Sequence, residues 1–451
     1  MNKYKTLVTN TFLFALSTFG SKLLVFVLMP FYTRVLNTDG YGAVDNIVQA
    51  SNFLIPIATI GINNAIIRFG LEKDTDKKAV FTTGTLVILF GFFVVLLLSP
   101  LIKFIDIISE YTFYMLMYVL VASFHGLTSQ FVRTLGFVKL YAFDGILATV
   151  LAIVFNIVFL AVFNLGIDGY MWAMIVTDFV CISFLIIAVK LYRYFDVKHL
   201  RKALLGDMLK YSVPLIPNTI CNWFINIASR FIITAMISVS ANGIYSVSSK
   251  IPSILLIVAT IFGEAWQISA ISETEGREKF FSSVSGVYQA IAFTMAAGLI
   301  LTCKITTSIF ASEAFFEAWR YMPFLVIAST FACIANFLSS VYMVEKKSVS
   351  TFVTTLIGAV VNIVLTFALI GKYGCMGVAF ANLVSYLLMF AIRVIDTRKY
   401  IKISWNRKKL MLNTILIFTE CFIMLSECKG HFVISLIITL LVIIINFKSL
   451  L

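Results

Sequence analysis

The chain has 451 residues, 60% of them hydrophobic and only 13% charged, against roughly 25% charged in an ordinary soluble domain. Water cannot be its main solvent. The formal charge of +13 does not point to nucleic acid, because cytoplasmic loops of membrane proteins gather Lys and Arg.

A helix needs about 20 apolar residues to cross roughly 30 Å of hydrocarbon. The first such segment covers 7–29, behind Lys3 and Lys5, and carries Asn10, Ser17, Ser21 and Lys22. It is too long for a signal peptide and lacks the small-residue cleavage site, so it is expected to remain as the first membrane helix. The second, 42–67, sets Asp45, Gln49, Asn52, Pro56, Thr59 and Asn63 at steps of three and four, one helical face that should avoid lipid. Spans follow over 79–99, 113–135, 140–163, 169–189 and 211–236. The fourth holds His125, Ser129 and Arg133 at four-residue steps, with Arg133 as a loop anchor. Asp144 and Asp178, in the fifth and sixth, and Glu264 further on are candidates to relay a cation; Asp178 is the deeply placed one, and a solvated helix end explains the other two equally well. The seventh repeats Asn218, Asn222, Asn226 and Arg230 every four residues. Seven more spans fall over 242–263, 281–303, 321–343, 350–371, 376–394, 409–427 and 431–447, with Lys250 inside the eighth.

With a cytoplasmic N-terminus, the loops on that side hold 26 of the 35 Lys and Arg residues and the opposite loops hold six. This asymmetry supports the span count and places both termini inside. The most basic inner segments, Lys190–Lys210 and Arg393–Lys409, follow the sixth and twelfth spans. Asn156-Ile-Val158 recurs as Asn362-Ile-Val364, Gly169-Tyr-Met-Trp-Ala173 matches Gly377-Val-Ala-Phe-Ala381, and Asp39-Gly-Tyr-Gly-Ala-Val44 matches Asn242-Gly-Ile-Tyr-Ser-Val247. The common offset of about 205 residues is six helices, an even number, so both copies share one orientation. The expectation is an all-α polytopic membrane protein of about 14 transmembrane helices. It divides into a six-helix bundle over 1–205, a second over 206–405, and an additional helix pair over 406–451, with substrate held between the halves.

Placing Lys or Arg at a helix centre costs roughly 2.5–3.5 kcal/mol, so Lys22, Arg230 and Lys250 need a purpose. Either they snorkel or pair with a buried acid such as Asp45, or they line a water-filled cationic cavity. The Asn and Ser residues either join helices or contact ligand. The seven cysteines lie mostly in apolar runs with no ligand spacing. No metal site, cofactor motif or catalytic loop is present in a credible setting, so an enzyme is not expected.

Phe19-Gly-Ser-Lys-Leu-Leu24, followed by Met29-Pro-Phe-Tyr-Thr-Arg-Val-Leu36 and Tyr41-Gly42, resembles the opening of polysaccharide biosynthesis flippases of the Wzx type. Their superfamily includes multidrug and toxin exporters and lipid II flippases. Ser229-Arg230 resembles the family's Asp-Arg, with Ser229 departing from the usual acid, and Gly243 through Lys250 resembles its next segment. The resemblance implies movement of an undecaprenyl-pyrophosphate-linked oligosaccharide to the outer face of a bacterial plasma membrane, for a surface polysaccharide such as lipopolysaccharide or capsule. In that reading Lys22, Arg230 and Lys250 hold the pyrophosphate. Asp45, Gln49, Asn52, Asn218, Asn222 and Asn226 adjust charge and contact sugar. The implied partners are lipid-linked oligosaccharide, membrane lipid, Na⁺ or H⁺, and a polysaccharide polymerase, with the monomer as the working unit. Alternatives are a cation-coupled multidrug exporter, which should favour acidic groups in its cavity, and a lipid II flippase.

The topology is checked in a cysteine-free background with a membrane-impermeant maleimide. Lys372→Cys should label in intact cells, and Lys198→Cys only after permeabilisation.

Overall fold

A computed structural model describes residues 28–72, 75–104, 109–272, 276–345 and 347–450. Hydrocarbon offers no hydrogen-bond partners, so a chain this apolar satisfies its backbone within helices, and among the described residues there is no strand. Two compact units emerge: one is Val35–Trp223, and the other is Phe224–Leu451 with the described residues up to Arg34. Among the described residues, nine helices are long and apolar enough to span a membrane, or up to 11 if each of two bent pairs is one span. The expected all-α polytopic architecture is the one observed.

In the first unit, α1 (Thr38–Ala58) starts at Asn37, whose side chain accepts from the Gly40 amide at 2.7 Å. Beyond a 51° bend the chain resumes as α2 (Ile62–Gly70). Pro56 has no amide hydrogen to donate inside α1, and Ile60 and Gly61 take left-handed φ of 50° and 65°. The straight helix expected over 42–67 is thus broken, and Asn63 does not continue the Asp45–Thr59 face. Four helices follow: α3 (Lys77–Leu98), α4 (Thr112–Thr134), α5 (Val138–Asn156) with a π-helical extension through Val162, and α6 (Gly166–Val189). The basic loop after α6 is fastened where the Asp196 amide donates to buried Thr82 Oγ1 at 2.9 Å. The Lys198 amide donates to the Asp196 carboxylate and holds its pKa below the ordinary value. Next comes the amphipathic helix α7 (Lys202–Ser212).

The chain enters the second unit through α8 (Ile216–Met236). Its next span is also broken: α9 (Val239–Lys250) and α10 (Ser253–Ser272) meet at a 46° bend around Ile251-Pro252. Then come α11 (Arg277–Leu301), the short α12 (Cys303–Phe310) and α13 (Met322–Val344). The most apolar window of α13 is 89% buried, which makes it the core helix of this unit. Around it Trp266 stacks on Phe337 at 5.0 Å and donates to Ser340 Oγ at 2.8 Å, so the indole buries area without orphaning its N–H.

The long α14 (Ser348–Asp396) divides at Gly374, where φ 55° and ψ −142° leave helical geometry. This break lies in the gap expected between 350–371 and 376–394. Gly169 and Gly377, aligned in the sequence comparison of the halves, share a packing role: a Cβ would meet the Phe159 carbonyl oxygen at 3.0 Å in one and the Leu369 carbonyl oxygen at 2.8 Å in the other.

The final pair, α15 (Arg407–Ser426) and α16 (His431–Leu450), is fastened at three levels. Lys409 donates to Ser449 at 2.6 Å, Asn413 and Asn446 exchange amide hydrogen bonds at 3.1 and 3.2 Å, and Ser435 and Thr439 both donate to Glu420 Oε1. Just past α15, Lys304 donates to Glu427 and holds that exposed carboxyl below its usual range.

Gly374→Ala has room for a methyl, its nearest neighbour being Ile237 Cδ1 at 4.0 Å, but not the backbone geometry. A loss of about 1–3 kcal/mol is expected, read as a lowered thermal midpoint in detergent.

Candidate functional site

Among the sequence candidates, Arg230 sits on α8 beside α9. Its Nη1 donates to Ser246 Oγ at 3.2 Å and its Nη2 to Ser249 Oγ at 2.8 Å. Adjacent Ser229, at the position where the resembled family carries an acid, donates to Asn362 Oδ1 at 3.0 Å in a buried contact. Lys250 is the last residue of α9, at the break before Pro252, and is partly buried. These groups share one unit and two consecutive helices, so Arg230, Ser246, Ser249 and Lys250 make a compact polar patch.

In the other unit Asp45 is buried and accepts from Gln49 Nε2 at 3.3 Å, and the Gln49 carbonyl accepts from Trp223 Nε1 at 3.0 Å. Asn52, expected on the same sheltered face, is exposed. Lys22 and the side chains of Asn218, Asn222, Asn226 and Glu264 lie outside the described residues.

One ionisable cluster among the described residues is one that residue spacing alone did not assemble. His125 on α4 lies between two carboxylates: Nδ1 is 2.8 Å from Asp178 Oδ1 on α6, and Nε2 is 3.1 Å from Asp144 Oδ2 on α5. The expected depths are reversed, because Asp144 is 2% exposed while the Asp178 side chain is 18% exposed. Asp144 is six residues into α5, but α6 and α4 close over it, so proximity to a helix end does not solvate it. Donor atoms of His125, Asp144 and Cys181 lie within 4.8 Å of one another. Both imidazole nitrogens face carboxylates, so His125 is held from two sides. Arg133 is exposed and rests 5.6 Å from the Tyr141 ring, consistent with anchoring the α4–α5 turn.

A further buried cation, Arg393, was placed by sequence at the edge of a basic loop. Instead it is 2% exposed, donating Nε to Thr354 Oγ1 at 3.1 Å, Nη2 to Thr355 Oγ1 at 2.9 Å and Nη1 to the Ala335 carbonyl at 2.8 Å. It joins α13 to both halves of α14. The sequence signal was available: Thr354-Thr355 supplies two adjacent hydroxyls in an otherwise apolar run.

A family model described as polysaccharide biosynthesis protein matches residues 7–273. No curated protein sequence matches the chain. Among solved structures, the chain is similar to a lipid II flippase, MurJ, in an inward closed conformation, with TM-score 0.74 and 14% identity over 97% of this chain and 98% of that one. It is also similar to an inward-facing multidrug resistance MATE family transporter of the MOP superfamily, with TM-score 0.69 and 13% identity over 88% and 98% of the two chains. An outward-facing conformation of such a transporter gives 0.60 and 16% over 88% and 96%. At these identities the likeness is one of fold.

Arg393→Ala would remove three hydrogen bonds and open a void among α13 and α14. A loss of about 3 kcal/mol is expected, measured as a shift in the unfolding midpoint, with Thr354→Val costing about 1 kcal/mol.

Proposed function

Because the chain belongs to the polysaccharide biosynthesis protein family, we propose that it flips undecaprenyl-pyrophosphate-linked oligosaccharide from the cytoplasmic to the outer face of a bacterial plasma membrane. The observation that carries this reading is Arg230, held within a membrane bundle by Ser246 and Ser249. A guanidinium oriented in this way matches the paired oxygens of a phosphate, and strong charge-assisted contacts can replace the hydration that a pyrophosphate loses. Lys250, at the end of the helix that supplies both serines, adds a flexible ammonium. Lys22, Asp45, Gln49, Asn52, Asn218, Asn222 and Asn226 are assigned to charge balance and sugar contact along the path, and the prenyl tail stays in lipid. Translocation proceeds by alternating access in a monomer that hands its product to a polysaccharide polymerase, with both termini cytoplasmic. Moving one negative charge outward across 100 mV releases about 2.3 kcal/mol, so the membrane potential assists. The basic loops account for the net charge without nucleic acid.

The likeness to a lipid II flippase favours one second reading, in which the substrate is that peptidoglycan precursor. Both substrates present a polyprenyl pyrophosphate, so the glycan distinguishes them.

Inverted membrane vesicles supplied with labelled lipid-linked oligosaccharide, and in parallel with lipid II, test the reading. The oligosaccharide should reach the lumenal leaflet only when the protein is present. Arg230→Ala at unchanged expression should slow it about tenfold, the equivalent of one lost charge-assisted hydrogen bond, and Arg230→Lys less. Movement of lipid II alone would transfer the assignment to that substrate.

A further inference from the structure

We propose that the segment from Lys190 to Tyr211, the loop after α6 together with α7, is a docking surface for anionic phospholipid headgroups of the cytoplasmic leaflet. The inference takes only the membrane orientation from the reading above and is independent of what is transported.

Charge alone would point elsewhere. Of the two most basic inner segments, Lys190–Lys210 holds six Lys and Arg against two Asp, and Arg393–Lys409 holds seven against one. By net charge the second should attract anions more strongly. In the structure, however, it is largely turned inward. Arg393 is buried among Thr354, Thr355 and the Ala335 carbonyl, Lys399 donates to Asp396 at 2.8 Å, and Lys409 donates to Ser449 at 2.6 Å. Ile401 and Ile403 are buried, and the Lys402 and Ser404 amides donate to Glu278 and Ser282 on α11. Arg398, Lys402, Arg407 and Lys408 stay exposed, but among the described residues from Thr397 to Lys409 no large apolar side chain is exposed beside them.

The first segment does the opposite. Its backbone is fixed to the unit: Leu191 is buried, Tyr194 packs on Phe131 with ring centroids 5.3 Å apart, and the Asp196 amide donates to Thr82. Leu204, Leu205, Met208 and Leu209 of α7 pack on the same core. The remaining side chains point outward. Tyr192 is 59% exposed, Phe195 42% and Val197 56%, and Leu200 and Tyr211 are exposed as well. Lys190, Arg193, Lys198, Lys202 and Lys210 stand exposed among them, and none of these five pairs with an acid among the described residues; the sixth cation, Arg201, lies 3.7 Å from Asp76.

Water suits these cations but not the rings and aliphatic chains beside them, and hydrocarbon does the reverse. The boundary between headgroups and acyl chains suits both, because apolar side chains enter the acyl edge while Lys and Arg stems reach phosphates. A zwitterionic headgroup offsets its phosphate with its own ammonium, whereas phosphatidylglycerol presents an uncompensated charge. Each Lys or Arg near an anionic surface favours it about fivefold. Since Leu191, Tyr194 and α7 already hold the segment in place, binding costs little further ordering.

The test uses the full-length protein in phosphatidylcholine nanodiscs carrying spin-labelled phosphatidylglycerol or spin-labelled phosphatidylcholine. The motionally restricted fraction of each label gives the preference for the anionic lipid. Wild type should prefer phosphatidylglycerol; no preference refutes the surface. Combining Arg193→Gln, Lys198→Gln and Lys202→Gln should lower the preference, by up to about fivefold per cation. The combination of Arg398→Gln, Lys402→Gln and Lys408→Gln should lower it less, and an equal or larger loss there overturns the proposal, because net charge alone would then explain binding. Added glycerol phosphate should leave the preference intact; displacement by it would make this a soluble-phosphate site and sink the lipid assignment. Phe195→Trp keeps every cation, so it gives a reading that survives misfolding of the charge variants. Its added fluorescence should be quenched by brominated acyl chains, more by phosphatidylglycerol than by phosphatidylcholine, and absence of quenching rules out contact with the bilayer. Labelling of Lys198→Cys in intact cells would overturn the cytoplasmic placement. No arm reads transport, so failure of the oligosaccharide assignment leaves these outcomes unchanged.

Discussion

Hydrocarbon cannot solvate a charge, so every ionised group within these helices must be neutralised or hydrogen-bonded by fixed neighbours. Much of the structure follows from that constraint. Arg393 is met by two threonine hydroxyls and a carbonyl, and Glu420 by a serine and a threonine on the facing helix. His125 is met by two carboxylates. Each of these arrangements joins neighbouring helices.

The two units answer the constraint with opposite chemistry. The unit containing α9–α16 sets Arg230 and Arg393 among hydroxyls. The unit containing α1–α7 sets two acids around a histidine.

Much of the fold was legible in the sequence because hydropathy and loop charge act over whole segments. The glycine break inside α14 fell in the expected gap, since a φ of 55° with an extended ψ is a conformation that only Gly tolerates readily. The bend after α1 was not foreseen, although Pro56 marks it, because a proline is also accommodated in straight membrane helices. The site was less legible. Arg230 could be singled out by its depth, but its serine partners lie on another helix. His125, Asp144 and Asp178 are 19 and 53 residues apart along the chain, so nothing local in the sequence brings them together. Arg393 was misplaced because a cation at the end of a hydrophobic run reads as a loop residue until the threonines that receive it are seen in space.

The terminal pair, α15 and α16, has a consequence for biogenesis. Its polar side chains are matched mainly across the pair, by the Asn413–Asn446 exchange, the Glu420 contacts and the Lys409–Ser449 bond. The hairpin can therefore leave the insertion machinery already zipped, presenting a mostly apolar exterior to lipid while it finds the bundle.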